Sequence, residues 1–380
     1  MSSTILGYLI GQREAMIELL SALVEIESPF EEPVAQEKIF ALLRAKLTAL
    51  DFVVEHVPGK TGGGYLVVRE NGRSHLPNQL IIGHVDTVWP VGTLQTMPLV
   101  IDGNVVRGPG VLDMKSGVTQ IVFALKALRA LGLETAVSPL ILINSDEEVG
   151  SPDSREAIMA LAQQASRAYI IEPGMGLEGK LKTARKGVGR FHIRVQGKAA
   201  HAGLAPEDGV SAILAMAHLV QTLFALNEPE NGISVNVGVI HGGMQPNMIA
   251  ANCEALVDIR VVTAADADRL ETAVLGLQPP IPGTQVTVTG EFNRPPMERT
   301  AGTAKLFQAA QAIGRELGLL LDEAMVGGGS DGNLTAPFTP TLDGLGPVGG
   351  GAHASHEFIY IDQWIERTAL LAKLLLLEKD

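Results

Sequence analysis

Apolar and polar positions alternate between two spacings along the first 180 residues. Residues 12–27 and 34–50 carry apolar side chains at helical spacing, and the strand-like runs VVEHV, GYLVVRE and NQLIIGHV follow. Helical and strand-like segments then take turns, with GVTQIVFALKALRALGLE before PLILINS and SREAIMALAQQAS before RAYIIEP. Strands that alternate with helices of about 15 residues predict an α/β fold, a mostly parallel sheet covered by helices.

The pattern changes near residue 185. In RFHIRVQG apolar side chains alternate with polar ones, which predicts a strand with one face in solvent. A helix, the strands SVNVGVI and CEALVDIRVV, a helix at about 264–277 and the strand QVTVTGEF follow, and the first pattern returns from Thr303. We therefore predict a discontinuous α/β domain, residues 1–184 and 296–380, with an inserted α+β domain, residues 185–295.

Composition narrows the class of protein. The 380 residues, 46% of them apolar, suit two packed domains, and the net charge of -13 disfavours nucleic acid or an anionic membrane as a partner. No apolar run approaches the roughly 18 to 20 residues of a membrane helix, and the N-terminus has no basic leader, so a cytoplasmic protein is expected. The one cysteine, Cys253, excludes a disulfide within the chain and a multi-cysteine zinc site. A metal would need His, Asp and Glu.

His84 and Asp86 end a buried strand. They belong to HVDTV, which directly follows the apolar run LIIG. Residues i and i+2 of a strand share one face, so the two side chains are expected side by side. A metal-binding imidazole held by a carboxylate has this arrangement. A histidine packed at a strand end beside a turn aspartate also explains the pair, and it is the simpler explanation when the pair is taken alone.

Four more polar sites are expected at or just after the ends of the predicted parallel strands, where open α/β sheets bind ligands. They are Asp113 in RGPGVLDMKSG, Asp146-Glu147-Glu148 after ILINS, Glu172 in YIIEPG, and His356 in GGGAHASHEFI. Taken singly, each is also explained by a helix cap, a solvated loop or a plain turn. Together, two histidines and at least three carboxylates suit a pair of zinc ions that share one carboxylate.

One glycine motif is excluded by its context. Residues 174–179, GMGLEG, match G-x-G-x-x-G, but a dinucleotide-binding turn opens a helix and has an acidic residue about 20 positions later. No Asp or Glu occurs between Glu178 and Glu207, and Leu181 stands where a phosphate-binding loop needs Ser or Thr. Nucleotide binding is not expected.

The segments HVDTV, RGPGVLDMKSG, SDEEVGS, IEP, GKAAHAG and HASHEF, in this order, resemble the M20 family of co-catalytic zinc peptidases and deacylases. The resemblance spans nearly the whole chain. It implies a zinc-binding catalytic domain, an inserted lid and dimerisation domain through which a homodimer forms, and two zinc ions per subunit. By position, it implies that His84 and Glu172 bind one zinc, that Glu148 and His356 bind the other, and that Asp113 binds both.

The resemblance also implies the roles of three further residues. Asp86 would orient His84, and Glu147 would act as the general base for metal-activated water. His201, in GKAAHAG, would stabilise the oxyanion, and in some relatives this histidine reaches the other subunit's site. Without the resemblance, His201 is explained as a surface histidine.

Substrates of this family carry a free carboxylate. The residues implied to bind the substrate are Lys180, Asn247, Arg260, Arg294, Gly328 and Ser330. The planar fork of an arginine suits a carboxylate, and a solvated surface position is the alternative for each cation. We expect release of a C-terminal amino acid, and glutamate is the leading candidate. However, Lys182 stands where glutamate-specific members have a small hydroxyl residue, which puts the side-chain preference in question.

Two alternatives remain at this point. An N-acyl-amino-acid deacylase, of the acetylornithine deacetylase or succinyl-diaminopimelate desuccinylase type, would share every metal ligand. A non-catalytic binding protein on the same scaffold is disfavoured because no ligand and no general base is missing from the pattern.

Overall fold

The structure, a computed structural model, describes residues 2–73 and 77–378. The chain divides into two compact units. Unit 1 consists of Met1–Ala184, Arg299–Val326 and Ser330–Asp380. Unit 2 consists of Arg185–Glu298 and Gly327–Gly329. The fold is mixed α/β, with a mainly parallel sheet in unit 1 and an antiparallel sheet in unit 2, as predicted.

Six strands form the main sheet of unit 1. They are β1 Phe52–Val57, β2 Tyr65–Glu70, β3 Asn78–His84, β6 Ser138–Asn144, β7 Ala165–Ile170 and β14 Thr341–Leu342. Their order is β1-β2-β6-β3-β7-β14. The last four in that order run parallel to one another, and β1 and β2 pair antiparallel.

Helices cover both faces of this sheet. They are α1 Ser2–Ile10, α2 Arg13–Val24, α3 Pro33–Thr48, α4 Ser116–Ala130, α5 Arg155–Ala162, α8 Ala301–Glu316, α9 Gly332–Thr335 and α10 Ile361–Leu374. Consecutive side chains of one strand enter different cores. Ile81 belongs to the core cluster that contains residues of α1 to α4, α8 and α10, whereas Leu80 and Ile82 belong to the cluster that contains residues of α5 and α9. Burial on both faces explains why β6 is apolar almost throughout.

Short strands complete unit 1. They are β4 Val100–Asp102, β5 Val105–Arg107, β15 Gly349–Gly350 and β16 Phe358–Tyr360, in the order β15-β16-β5-β4, and β13 Glu323–Val326, which pairs with β8 Leu181–Arg185. Among the described helices, none is long and apolar enough to cross a membrane.

Unit 2 is an antiparallel sheet with helices on one face. Its elements are β9 Gly187–Gln196, α6 Ala212–Phe224, β10 Ser234–Gly242, β11 Asn252–Val261, α7 Ala264–Leu275 and β12 Gln285–Arg294, with the strand order β10-β11-β9-β12. Phe191, Ile193 and Val195 are buried against the helices, whereas Arg190 and Arg194 are exposed. This is the alternation that the sequence predicts for a sheet with one wet face.

Candidate metal centre

Three neighbouring strands of unit 1 deliver polar side chains to one edge of the sheet. β3 lies between β6 and β7, and all three run parallel, so their carboxyl ends lie side by side. His84 is the last residue of β3. Glu148 follows β6 by four residues, and Glu172 follows β7 by two. This edge is where ligands bind in open α/β sheets.

His84, Asp113 and Glu172 form the first cluster, called here the buried group. The Nε2 atom of His84 lies 3.2 Å from Oδ1 of Asp113 and 3.5 Å from Oε1 of Glu172. The side chains of His84 and Glu172 are only 2% and 9% exposed. One ligand atom from each of the three residues lies within 4.8 Å of the others, a separation that a single metal ion can span.

Asp113, Glu148 and His353 form the second cluster, called here the open group. The Nε2 atom of His353 lies 3.4 Å from Oδ2 of Asp113 and 3.3 Å from Oε2 of Glu148. The side chain of His353 is 51% exposed. Asp113 faces the two groups with different oxygens, Oδ1 toward His84 and Oδ2 toward His353. Asp113 is the residue that the two clusters have in common.

The structure brings a different histidine to the open group from the one predicted. The sequence predicts His356, but it is His353, three residues earlier in the same loop, that lies against Asp113 and Glu148. Gly351 and His353 both have positive φ, 79° and 58°, and the chain turns where Ala354 N donates to the Gly351 carbonyl at 2.9 Å. His356 is exposed and belongs to neither metal-ligand cluster found among the described residues.

Asp86 contacts both groups. The Nδ1 atom of His84 donates to the backbone carbonyl of Asp86 at 3.0 Å and lies 3.4 Å from the Asp86 carboxylate. The other carboxylate oxygen of Asp86 accepts from the backbone N–H of Glu148 at 2.9 Å. In the neutral imidazole, a proton held on Nδ1 leaves Nε2 of His84 with a lone pair directed toward Asp113 and Glu172.

The imidazoles of both groups hold protons strongly. Burial lowers the pKa of His84, but hydrogen bonds to Asp113, Asp86 and Glu172 outweigh it and raise the pKa well above 6.5. Hydrogen bonds to Asp113 and Glu148 raise the pKa of His353 to about 10, although burial opposes them. The carboxylates of this site therefore stabilise positive charge on the two imidazoles.

The pKa values of the carboxylates Asp113 and Glu148 are shifted in opposite directions. Burial disfavours ionised Asp113, but hydrogen bonds from His353 and His84 hold its pKa well below the usual range. Burial and the negative charge of Asp113 raise the pKa of Glu148 to about 7. Glu148 Oε1 is buried and has no hydrogen-bond partner among the described residues. A buried carboxylate oxygen without a donor is costly unless a cation binds it, so these residues fit a metal ion.

Other predicted site residues of unit 1 lie as follows. Glu147 is half-buried and opens the short turn Glu147–Val149 next to Glu148. The Lys180 ammonium forms an ion pair with Asp322 at 3.1 Å. Ser330 is buried, and its hydroxyl donates to a carboxylate oxygen of Asp343 at 2.7 Å.

Unit 2 brings two of its predicted residues together. The loops of His201 and Asn247 pair, with Ala202 N donating to the Asn247 carbonyl at 3.0 Å, and both residues are exposed. The Nδ1 atom of His201 accepts from the backbone N–H groups of Gly203 and Leu204 at 3.1 and 3.2 Å. In the neutral imidazole this places the proton on Nε2.

The arginines of unit 2 lie apart from that pair of loops. Arg260 donates through Nε and Nη2 to the Asp258 carboxylate at 2.8 and 3.0 Å. Arg294, at the end of β12, is 4% exposed. The carbonyl of Gly328 accepts from Arg185 Nη1 at 3.1 Å.

Comparison with known proteins identifies the family. A family model of the M20 type, described as a peptidase dimerisation domain, matches residues 183–277. Carboxypeptidase G2 of Pseudomonas sp. (strain RS-16) is 30% identical over 372 residues, which are 96% of this chain and 89% of that relative. The chain belongs to the M20 peptidase family. It is therefore an M20 metallopeptidase or amidohydrolase, and the metal-ligand clusters are consistent with a metal cofactor.

Other M20 proteins share part of the sequence or the fold. Acetylornithine deacetylase of Erwinia tasmaniensis is 30% identical over 290 residues, 66% of this chain and 72% of that relative. A tripeptidase structure from Staphylococcus aureus superposes with a TM-score of 0.77 at 22% identity, covering 96% of this chain and 97% of its own. An M20 metallo-carboxypeptidase from Sulfolobus solfataricus gives 0.72 at 16% identity, with 95% and 98% coverage. The two structures show the fold.

Proposed function

We propose that this M20 protein is a dinuclear zinc carboxypeptidase that hydrolyses an amide bond and releases a C-terminal amino acid. Glutamate is the leading candidate for that amino acid. The observation that supports it most is the position of Asp113, whose two oxygens face different ligand groups. His84 and Glu172 would complete one zinc site, and Glu148 and His353 the other. Imidazole and carboxylate donors are ordinary zinc ligands, and zinc supplies Lewis-acid activation of water and of the scissile carbonyl.

Glu147 is the proposed general base. It precedes the ligand Glu148 directly, so the turn Glu147–Val149 fixes both side chains through one short stretch of backbone. Glu147 accepts the proton of the attacking water and returns it to the nitrogen of the leaving amine. We expect Glu147→Gln to bind metal normally and to lose about 10²- to 10⁴-fold in kcat. Loss of metal together with activity would instead make Glu147 a structural residue.

His201 is the proposed oxyanion donor. Its Nδ1 accepts two backbone hydrogen bonds, which holds Nε2–H ready to donate. Asn247, in the paired loop, is proposed to contact the same substrate.

The substrate carboxylate is proposed to bind to cations already named. Lys180 and Arg260 each have a carboxylate partner, Asp322 and Asp258, so a substrate carboxylate would replace that partner. Arg294, Gly328 and Ser330 remain proposed substrate contacts, and the buried hydroxyl of Ser330 would act through its present hydrogen bonds.

A deacylase is the second candidate, because an acetylornithine deacetylase is as similar in percentage identity as carboxypeptidase G2, although over a shorter stretch. The test is amino-acid release from N-benzoyl and peptidyl glutamate beside N-acetyl and N-succinyl amino acids, with chelated protein as control. Faster turnover of the large acyl-glutamates supports the carboxypeptidase. Preference for small acyl groups supports the deacylase, and no metal-dependent release from any substrate contradicts both.

Unit 2 is also the proposed site of homodimer formation. β10 is an edge strand of its sheet, with Val239 and Ile240 exposed, and α6 exposes Leu214 and Phe224. An exposed apolar edge strand pairs readily with another chain, and the matched dimerisation-domain model favours a second copy of this one. Sedimentation should give a dimer for the wild type and a monomer for Ile240→Lys. A monomeric wild type would contradict the proposal.

A further inference from the structure

Glu357 is a buried carboxylate whose two oxygens accept four N–H hydrogen bonds. Oε1 accepts from the backbone N–H groups of Leu112 and Asp113 at 2.8 and 3.1 Å. Oε2 accepts from the backbone N–H of Gly110 and from the indole of Trp89, both at 2.9 Å. The residue has no solvent-exposed surface, so these donors replace water completely.

The four donors come from the loops of the metal centre. Three are backbone groups of residues 110–113, which end at the shared ligand Asp113 and do not follow regular helical geometry, since φ and ψ of Asp113 are −118° and 97°. The fourth, Trp89, lies in the loop that follows His84. Glu357 itself comes four residues after His353. One side chain therefore joins the loop that follows His84 to the segments that bear Asp113 and His353.

The surroundings of Glu357 also carry a compensating charge. Lys115 is buried and donates to the Ile26 carbonyl at 2.8 Å. Lys115 lies close enough to Glu357 for the two charges to interact. A buried cation near a buried carboxylate reduces the cost of keeping that carboxylate ionised.

We propose that Glu357 is a positioning residue for the metal centre: it fixes the backbone of Asp113 so that each carboxylate oxygen faces its own ligand group. The inference rests on the proposed metal-binding role of Asp113. Glu357 contacts no ligand side chain in the structure described, and it acts through the Asp113 backbone and through Trp89.

The substitution Glu357→Gln tests this with almost no change in shape. Each oxygen of Glu357 has two N–H donors, and a glutamine amide puts an NH₂ group where one oxygen stood. Two donors then face a donor, and the segment 110–113 must shift. Residues that orient metal ligands typically account for 10- to 100-fold in metal affinity, and we expect E357Q to lose that much for zinc.

Glu27 offers a matched control in the same unit. Its carboxylate accepts from the backbone N–H groups of Gly92 and Leu94, both at 2.8 Å, so it also holds a loop by its main chain. That loop segment contains none of the proposed metal ligands. Glu27→Gln removes fewer hydrogen bonds than E357Q, so it should destabilise the fold by a smaller amount and keep the zinc affinity within about twofold of the wild type.

The experiment is a zinc titration of the metal-free full chain against a chromogenic chelator, with the d–d absorption of the cobalt-substituted protein and the thermal midpoint of the metal-free protein recorded for each variant. We expect weaker zinc binding and an altered cobalt spectrum for E357Q only, with kcat reduced more than KM is raised. Wild-type zinc affinity and an unchanged cobalt spectrum in E357Q would overturn the inference. A wild type that binds no zinc would instead overturn the proposed function.

A second variant tests the same inference if E357Q does not fold. Trp89→Phe removes one of the four donors and leaves the carboxylate in place. We expect zinc binding about 2- to 10-fold weaker, the effect of one net hydrogen bond. Unchanged zinc affinity in W89F would then count against Glu357 as a positioning residue.

Discussion

The buried group and the open group share Asp113 and differ in what holds their histidines. His84 ends a central strand of the main sheet, is 2% exposed and donates from Nδ1 to the Asp86 carbonyl. His353 lies in a loop with positive φ and is 51% exposed. A ligand fixed by a sheet loses little freedom when an ion binds, whereas a loop ligand must first be ordered. We therefore expect the first ion to bind the buried group and the second to bind more weakly.

The largest expected effect comes from removing what the groups share. Asp113→Ala deletes both carboxylate oxygens, so each group loses a ligand at once. We expect two zinc ions in the wild type and fewer than one in the variant, measured by elemental analysis, with kcat/KM lower by at least about 1,000-fold. Retention of one tightly bound ion would show that Asp113 serves one group only.

A pair of histidine variants separates the groups. His84→Ala should abolish tight binding of the first ion, because the loss of a direct ligand exceeds the 10- to 100-fold effect of an orienting residue. His353→Ala should leave the first ion in place and weaken the second. Calorimetric titration with zinc resolves the two binding steps. Equal losses of affinity for the first ion in both variants would contradict the expectation that the buried group binds that ion.

Acidity should weaken the open group. A metal replaces the protons on its ligands, and in the metal-free chain the pKa of His353 is about 10 and that of Glu148 is about 7. The side chains of His353 and Glu148 hold protons below these pKa values, so zinc affinity rises with pH and falls as pH drops. Displacing one proton changes the affinity tenfold per pH unit, which gives about 100-fold between pH 6 and pH 8, with a further contribution from Glu148 near pH 7. Titration in buffers of different ionisation enthalpy measures the protons released, and a pH-independent affinity would contradict this account.

The smallest expected effect distinguishes the two histidines of one loop. His356→Ala changes an exposed side chain outside both metal-ligand clusters, so zinc content and kcat/KM should stay within about twofold of the wild type. A loss as large as that of His353→Ala would restore His356 as the ligand.

The fold was predictable because its signals are periodic. The alternation in RFHIRVQG indicates a sheet with one wet face, and β9 has this burial pattern. The apolar runs PLILINS and NQLIIGHV indicate buried strands, and β6 and β3 pair in parallel. The proposed ligands His84, Glu148 and Glu172 lie at or just after the ends of neighbouring strands, so the order of the strands brings them together.

Loops carry no such period, and the errors of the sequence analysis fall there. His353 and His356 stand in one segment, HASHEF, and only the turn after Gly351 decides which one reaches Asp113. Glu357 was missed because the sequence places it next to a histidine in a loop far along the chain, and nothing local indicates that its partners are main-chain groups of residues 110–113.

The division of unit 1 into three chain segments also sets the order in which the protein can be completed on the ribosome. Unit 2 is almost continuous, because all but Gly327–Gly329 lies within Arg185–Glu298. Unit 1 cannot complete its fold until its last segment is synthesised, because β16 pairs with β5 and α10 packs against α4. Contacts between distant parts of a chain form slowly and late. On the proposed ligand assignment His353 is synthesised with that segment, so a nascent chain would complete unit 2 well before it could hold two metal ions.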